Sequence, residues 1–260
     1  MSAPDVGAPD LLAGTVAVIT GAASGIGRAT AQAFAAHGAT AVVVADLRRE
    51  PREGGRSTVD LLADAGVAAE FVATDVTRVA DLRRAVAVAE SLGGLTTMVN
   101  CAGVFRREDF FEVTEESYEQ MLTVNVRGTF FGCQAAATAM RERGGSIVNL
   151  ASVASYRGSV GHATYHASKG AVQALTYTLA RDLAPHRIRV NAVHPGAVDT
   201  SMLRVDDPVL QSLDPATAFP LGRPASVADV ANAIVYLASD LAGYVSGASL
   251  TVDGATGSSG

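Results

Sequence analysis

Two side chains four residues apart, Tyr165 and Lys169 in "TYHASKG", have the types and spacing for joint acid–base chemistry. On a helix, that spacing puts them on one face. A free phenol titrates at about 10 and is no base at neutral pH. An ammonium beside it favours the phenolate and lowers that value. Lys169 is the only lysine of the chain; the rest of its 20 basic residues are arginines. A guanidinium is a flat fork, whereas an ammonium is a compact point charge. A small cation can lie against a phenol and still donate to nearby hydroxyls. The pair is therefore a candidate general acid/base with its helper, suited to moving a proton on or off an alcohol oxygen.

A second cluster has the chemistry to hold a dinucleotide. "TVAVIT" runs directly into "TGAASGIG" and then a helical pattern. Glycines at 21, 25 and 27 let the backbone turn tightly and approach a pyrophosphate, while a helix N-terminus offers free N–H groups. Gly21, Ser24, Gly25, Ile26 and Gly27 are the expected phosphate cradle. The next strand ends in Asp46, followed by Leu47, near the offset of about 20 residues expected for a ribose-binding acid. A carboxylate there repels a 2′-phosphate and favours NAD over NADP, although Arg48 and Arg49 soften that exclusion. Asp75, with Val76, is placed to meet an adenine amino group. "NCAG" is expected to bring Asn100, Ala102 and Gly103 beside the adenosine. These sites share the carboxyl ends of successive strands, where ligands of such sheets bind.

The elements that position them alternate. Short β-branched runs at 15–20, 40–45, 69–74, 95–100, 145–152, 187–195 and 248–254 read as strands. Helix-length patterns at 25–37, 78–91, 114–142, 163–183 and 226–239 lie between them. Strand alternating with helix predicts one α/β domain, a doubly wound, Rossmann-like parallel sheet of about seven strands with helices on both faces. The domain is expected over 14–254, with a flexible leader at 1–13 and a flexible tail at 255–260. The long acidic and proline-bearing stretch 201–222 reads as a lid.

Composition excludes several classes. The net charge of −6 and the scattered arginines argue against nucleic-acid binding. No run of apolar residues is long enough to span a membrane, and the start of the chain does not read as a secretory signal, so a cytoplasmic protein is expected. Cys101 and Cys133 form no disulfide framework, and the five histidines show no metal-ligand spacing. No metal is expected.

The motifs together identify a resemblance. "TGAASGIG", "NCAG", Asn125 in "NVRG", Ser152 in "NLASVAS", "YHASK" and "HPGAVDT" make the chain similar to the short-chain dehydrogenase/reductase family from about Gly14 to Gly254. Cys101 departs from it, standing where the family usually has Asn or Ala. The resemblance implies hydride transfer between a secondary alcohol and a nicotinamide cofactor, with NAD preferred to NADP. Tyr165 would be the general acid/base and Ser152 would bond the substrate oxygen. Lys169 would hold the nicotinamide ribose, and Asn125 would anchor a water in the proton path. Pro195 and Gly196 would line the nicotinamide site, with Val198 and Thr200 holding its carboxamide. The family also implies a homotetramer.

Walls of the substrate pocket are expected from Val104, Phe105, Val153 to Ser155 including Ala154, His162 and the 201–222 stretch. They suit a medium-sized alcohol or ketone. A 3-oxoacyl-carrier-protein reductase-type activity is the alternative within the family. A non-catalytic NAD-binding redox sensor is the alternative outside enzymology.

Overall fold

The structure is a computed structural model that describes residues 10–200 and 215–257. Its Val-, Ile- and Ala-rich runs form seven strands: β1 (Val16–Thr20), β2 (Ala41–Asp46), β3 (Ala68–Ala73), β4 (Thr97–Asn100), β5 (Gly145–Leu150), β6 (Ile188–Pro195) and β7 (Ser249–Val252). All pair in parallel in the order β3-β2-β1-β4-β5-β6-β7. Residues on both faces of β1 and β4 are buried, as a sheet covered on both sides requires. The order reverses at β1, which pairs with β2 on one side and β4 on the other. The crevice at that reversal is where ligands of such sheets bind.

Helices cover both faces. These are α1 (Gly25–Ala36), α2 (Thr58–Asp64), α3 (Val79–Ser91), α4 (Glu115–Leu122), α5 (Thr129–Met140), α6 (Ala163–Asp182), α7 (Pro215–Ala218) and α8 (Val227–Ala238). In α1, Gly27, Thr30, Ala31 and Phe34 recur at helical spacing and are all buried. Phe34 joins Leu62, Ile234 and Leu237 in one core. Val86, Met98, Met140 and Ile147 anchor a second core. Each such side chain contributes about 1.5–3 kcal/mol on burial. Helix α8 starts at a capping box, with Ser226 and Asp229 bonding each other's backbone N–H.

Four expectations need correction. The stretch 114–142 is not one α-helix, because a π-helical turn, Thr123–Gly128, separates α4 from α5. Helix α2 was not expected at all; it has two buried residues, Thr58 and Leu62, and a Ser57 cap. The flexible leader does not extend to residue 13: Leu12 is buried and Ala13 bridges Ala39. The tail is tied down over 255–257, where Asp253 accepts from the backbone N–H groups of Ala255, Thr256 and Gly257. Residues 1–9, 258–260 and the 201–214 part of the expected lid lie outside the described residues.

Two glycines hold the turn after β1 in shape. Gly21 has φ of +67° and a Cβ there would stand 3.0 Å from Ala102. A Cβ on Gly27 would stand 2.2 Å from the carbonyl oxygen of Gly21, so only glycine lets α1 approach the turn. Gly27→Ala is expected to overpack this contact at a cost of about 3 kcal/mol. Thermal melting should then fall by about 6 °C or more, which calorimetry checks.

Candidate active site

Above the carboxyl ends of the strands lies a cavity of about 770 Å³. One end is the glycine turn. Gly21, Ser24, Gly25, Ile26 and Gly27 line it, opposite Asp46, Leu47, Asp75 and Val76. The Asp46 carboxylate accepts from Ala23 N–H at 2.9 Å and from Leu47 N–H at 2.7 Å. It is thereby fixed with lone pairs to spare for hydroxyls. Asp75 spends Oδ1 on Thr77, accepting from its backbone N–H at 2.9 Å and its hydroxyl at 2.7 Å.

The turn binds an anion already. Gly25 N–H donates to Oε1 of Glu53 at 3.2 Å, and Ser24 Oγ accepts from Arg52 N–H at 2.8 Å. A carboxylate of the chain itself stands where a pyrophosphate oxygen would be bound, at the N-terminus of α1. The donor set therefore fits a dinucleotide.

The middle of the cavity carries the acid–base pair. Tyr165 and Lys169 both rise from α6 and line the cavity with Ser152, which follows β5. Ser152 is close enough to the Tyr165 hydroxyl to favour its ionised form. Lys169 Nζ lies 5.7 Å from the Tyr165 ring centre and donates to the Leu150 carbonyl at 2.7 Å. Ser152 Oγ is steadied by Ala154 N–H at 3.2 Å and lies 3.4 Å from the Pro195 carbonyl. Pro195, Gly196, Val198, Thr200, Ala102 and Gly103 line the same cavity.

The electrostatics differ from the expectation. Burial pushes the Tyr165 hydroxyl up to about 12, although Ser152 lowers it. Burial pulls Lys169 down to about 8. With the protein's own groups alone, desolvation outweighs the effect of Ser152 on the phenol, and each member of the pair is driven toward its neutral form. The lowering expected from Lys169 together with an oxidised nicotinamide is not reached by the protein's own groups. Cys101 and Cys133 are also pushed up to about 12 by burial, which keeps both thiols protonated.

The sequence-derived residues mostly converge, with two exceptions. Asn100 points into the core, where its Nδ2 donates to Asn149 Oδ1 at 2.9 Å, so it does not line the adenosine site. A buried amide is retained there because Asn149 in turn donates to Thr176 at 3.0 Å, closing a satisfied network. Asn125 is buried too. Its Oδ1 accepts from Val104 N–H at 2.8 Å, and its Nδ2 donates to the Val104 carbonyl at 2.9 Å and to Ser168 Oγ at 3.0 Å. Its side chain is occupied with protein partners. It pins the 100–105 loop to α6.

Phe105, Ala154 and His162 also line the cavity. His162 stacks on Phe105 with ring centres 5.0 Å apart, and Phe105 meets Tyr165 edge-on at 4.8 Å. Several functional positions escaped the sequence reading. Thr20 Oγ1 accepts from both Cys101 and Ala102 N–H at 3.1 Å, shaping the loop after β4. His194 is fully buried, and its Nδ1 donates to the Ser152 carbonyl at 2.9 Å. Arg52, Arg157, Ser159 and His166 line the cavity without a sequence signal beyond polarity.

A glycine-rich dinucleotide cradle joined to a Tyr–Lys–Ser cluster defines the class of a nicotinamide-dependent oxidoreductase. A family model described as enoyl-(acyl carrier protein) reductase matches residues 21–256. The chain is 38% identical to trans-4-hydroxycyclohexanecarboxylate dehydrogenase of Sinomonas cyclohexanicum, over 94% of this chain and 93% of that one. It is also 38% identical to L-2,3-butanediol dehydrogenase of Corynebacterium glutamicum, over 92% and 97%. A crystal structure of a protein described as a short-chain alcohol dehydrogenase, from Sinorhizobium meliloti 1021, superposes with a TM-score of 0.87. It shares 36% identity over 95% of this chain and 98% of that one. The chain belongs to the short-chain dehydrogenase/reductase family, as an oxidoreductase that interconverts alcohols and ketones with a nicotinamide cofactor.

The depressed Lys169 has a consequence for stability. Between about pH 8 and the ordinary lysine value near 10.5, the unfolded chain holds a proton that the folded one has released. Stability therefore rises with pH across that window, by at most about 3 kcal/mol. Lys169→Met should remove this rise. Denaturant titrations of both proteins at pH 7.5 and 10 should show wild type gaining on the variant (pH values chosen to bracket roughly that window).

Proposed function

We propose that the enzyme oxidises a medium-sized secondary alcohol reversibly, with NAD preferred to NADP. The observation that carries this is the convergence of Ser152, Tyr165 and Lys169 on the cavity that the glycine turn also lines. Gly21, Ser24, Gly25, Ile26 and Gly27 would hold the pyrophosphate, Asp46 the adenosine ribose, and Asp75 the adenine. Pro195, Gly196, Val198 and Thr200 would frame the nicotinamide, which supplies hydride acceptance and, when oxidised, a positive charge beside the phenol. Ser152 orients the substrate oxygen, and Tyr165 takes its proton as the alcohol is oxidised or returns it as the ketone is reduced. Lys169 holds the nicotinamide ribose and favours the phenolate. Asn125 acts as a positioning residue through Val104 and Ser168.

The preference for NAD rests on Asp46, whose anchored carboxylate would meet a 2′-phosphate head-on. Arg49 is committed to Asp60 at 2.9 Å and offers little compensation. The apolar wall of Phe105 and Ala154 favours a carbon ring or short chain, in keeping with relatives named for a cyclohexane acid and a butanediol. Residues 201–222 would close over this wall as a lid.

The same reading makes the enzyme a cytoplasmic homotetramer. Tyr118 and Phe130 are exposed beside an apolar groove that includes Leu122, Val126, Phe131 and Ala171. Tyr236, Leu241 and Tyr244 are exposed on and just after α8. Two separate apolar faces suit two kinds of twofold contact, as a tetramer of dihedral symmetry needs. Both cysteines are free, as is usual in a reducing compartment. Among the described residues, no helix is long and apolar enough to cross a membrane.

Absorbance of reduced nicotinamide, followed over a panel of cyclic and acyclic alcohols with either cofactor, tests the reaction. Tyr165→Phe should lower kcat by about 10²-fold or more while dinucleotide binding, read by calorimetry, persists; near wild-type turnover would refute the assigned role. Asp46→Ala should narrow the preference for NAD over NADP by about tenfold, judged by the ratio of kcat/KM values.

A further inference from the structure

The substrate half of the cavity carries a charge that hydride and proton transfer do not use. Arg157 lines it, just beyond the short helical turn Val153–Ser155. The acidic lining residues among those described, Asp46 and Asp75, both belong to the adenosine end. Arg157 is half-buried. A guanidinium has five N–H donors. Among the described residues it makes one hydrogen bond, from Nη1 to the Thr256 backbone carbonyl, and no ion pair.

The nearby Asp253 carboxylate accepts from the Ala255 and Gly257 N–H groups and forms no ion pair with Arg157. Ser159 bridges Nδ1 of His162 at 3.0 Å and Nε2 of His166 at 2.9 Å, and all three residues line the cavity. Phe105 and Ala154 supply the apolar wall between this corner and Tyr165. A half-buried guanidinium that forms no ion pair among the described residues favours an anion, above all a planar carboxylate that accepts two parallel N–H bonds.

We propose that Arg157 recognises a carboxylate on the substrate, making that substrate a ring-sized hydroxy acid whose carbinol lies away from its acid group. The inference rests on the alcohol dehydrogenase reading above. The carbinol carbon gives hydride to the oxidised nicotinamide, the hydroxyl gives its proton to Tyr165, and a keto acid forms. The carboxylate is unchanged by the reaction and serves only to hold the ring.

The test is calorimetric binding of cyclohexanecarboxylate and of its neutral isostere cyclohexanecarboxamide to the full chain saturated with NADH. Wild type should bind the acid about tenfold more tightly than the amide, the worth of one charge-assisted contact. Arg157→Gln should bring the two within about twofold, and Arg157→Lys should retain part of the preference. Equal binding of acid and amide by wild type, or binding of neither, overturns the proposal without needing a variant to fold. So does a preference that survives Arg157→Gln. Oxidation of neutral alcohols, assayed separately, reports on the dehydrogenase reading alone, so the two failures are distinguishable.

Discussion

The site is organised around a cation kept out of water. Lys169 is 5% exposed, and the Leu150 carbonyl at the end of β5 accepts from its ammonium. A buried charge is costly unless something compensates it. Here burial draws Lys169 toward neutrality and holds the Tyr165 proton in place. The protein's own walls thus hold the phenol protonated. A positive group bound beside it would favour the phenolate that alcohol oxidation needs. Readiness for chemistry is thereby tied to occupancy of the neighbouring dinucleotide cradle.

Several buried polar groups keep this arrangement rigid. Asn125 fastens the loop after β4 to Ser168 on α6, while Asn100, Asn149 and Thr176 link β4, β5 and α6. His194 fixes the backbone of Ser152 from β6. Each amide is worth keeping in the core because its partners are satisfied, and removing one partner would orphan another. The candidate acid–base residues, from the end of β5 and from α6, are thus located by side chains that do not line the cavity.

Much of this was legible in the residues. The seven strands follow from short β-branched runs, and the cofactor end follows from glycines and carboxylates at strand ends. The π turn was not recognised, although Ser117, Met121, Asn125, Thr129 and Cys133 are all buried at an unbroken spacing of four. In an α-helix each such step overshoots by about 40°, so a wider turn must absorb the drift. Helix α2 escaped because two buried positions leave no periodicity to read. Asn100 and Asn125 were placed at the cavity because their sequence neighbours are there. Orientation within a strand end or a π turn depends on partners far along the chain, and spacing does not carry it. The upward push of burial on the tyrosine was likewise not legible, since desolvation is a property of the assembled walls.

Arg157 is held by a carbonyl contributed from Thr256, beyond the last strand and about a hundred positions away in the chain. The recognition corner is therefore composite. A segment carrying residues 153–166, transplanted into a related scaffold to redirect its selectivity, would arrive without the support that aims its guanidinium. Exchange of specificity in this fold has to move two distant pieces of backbone together.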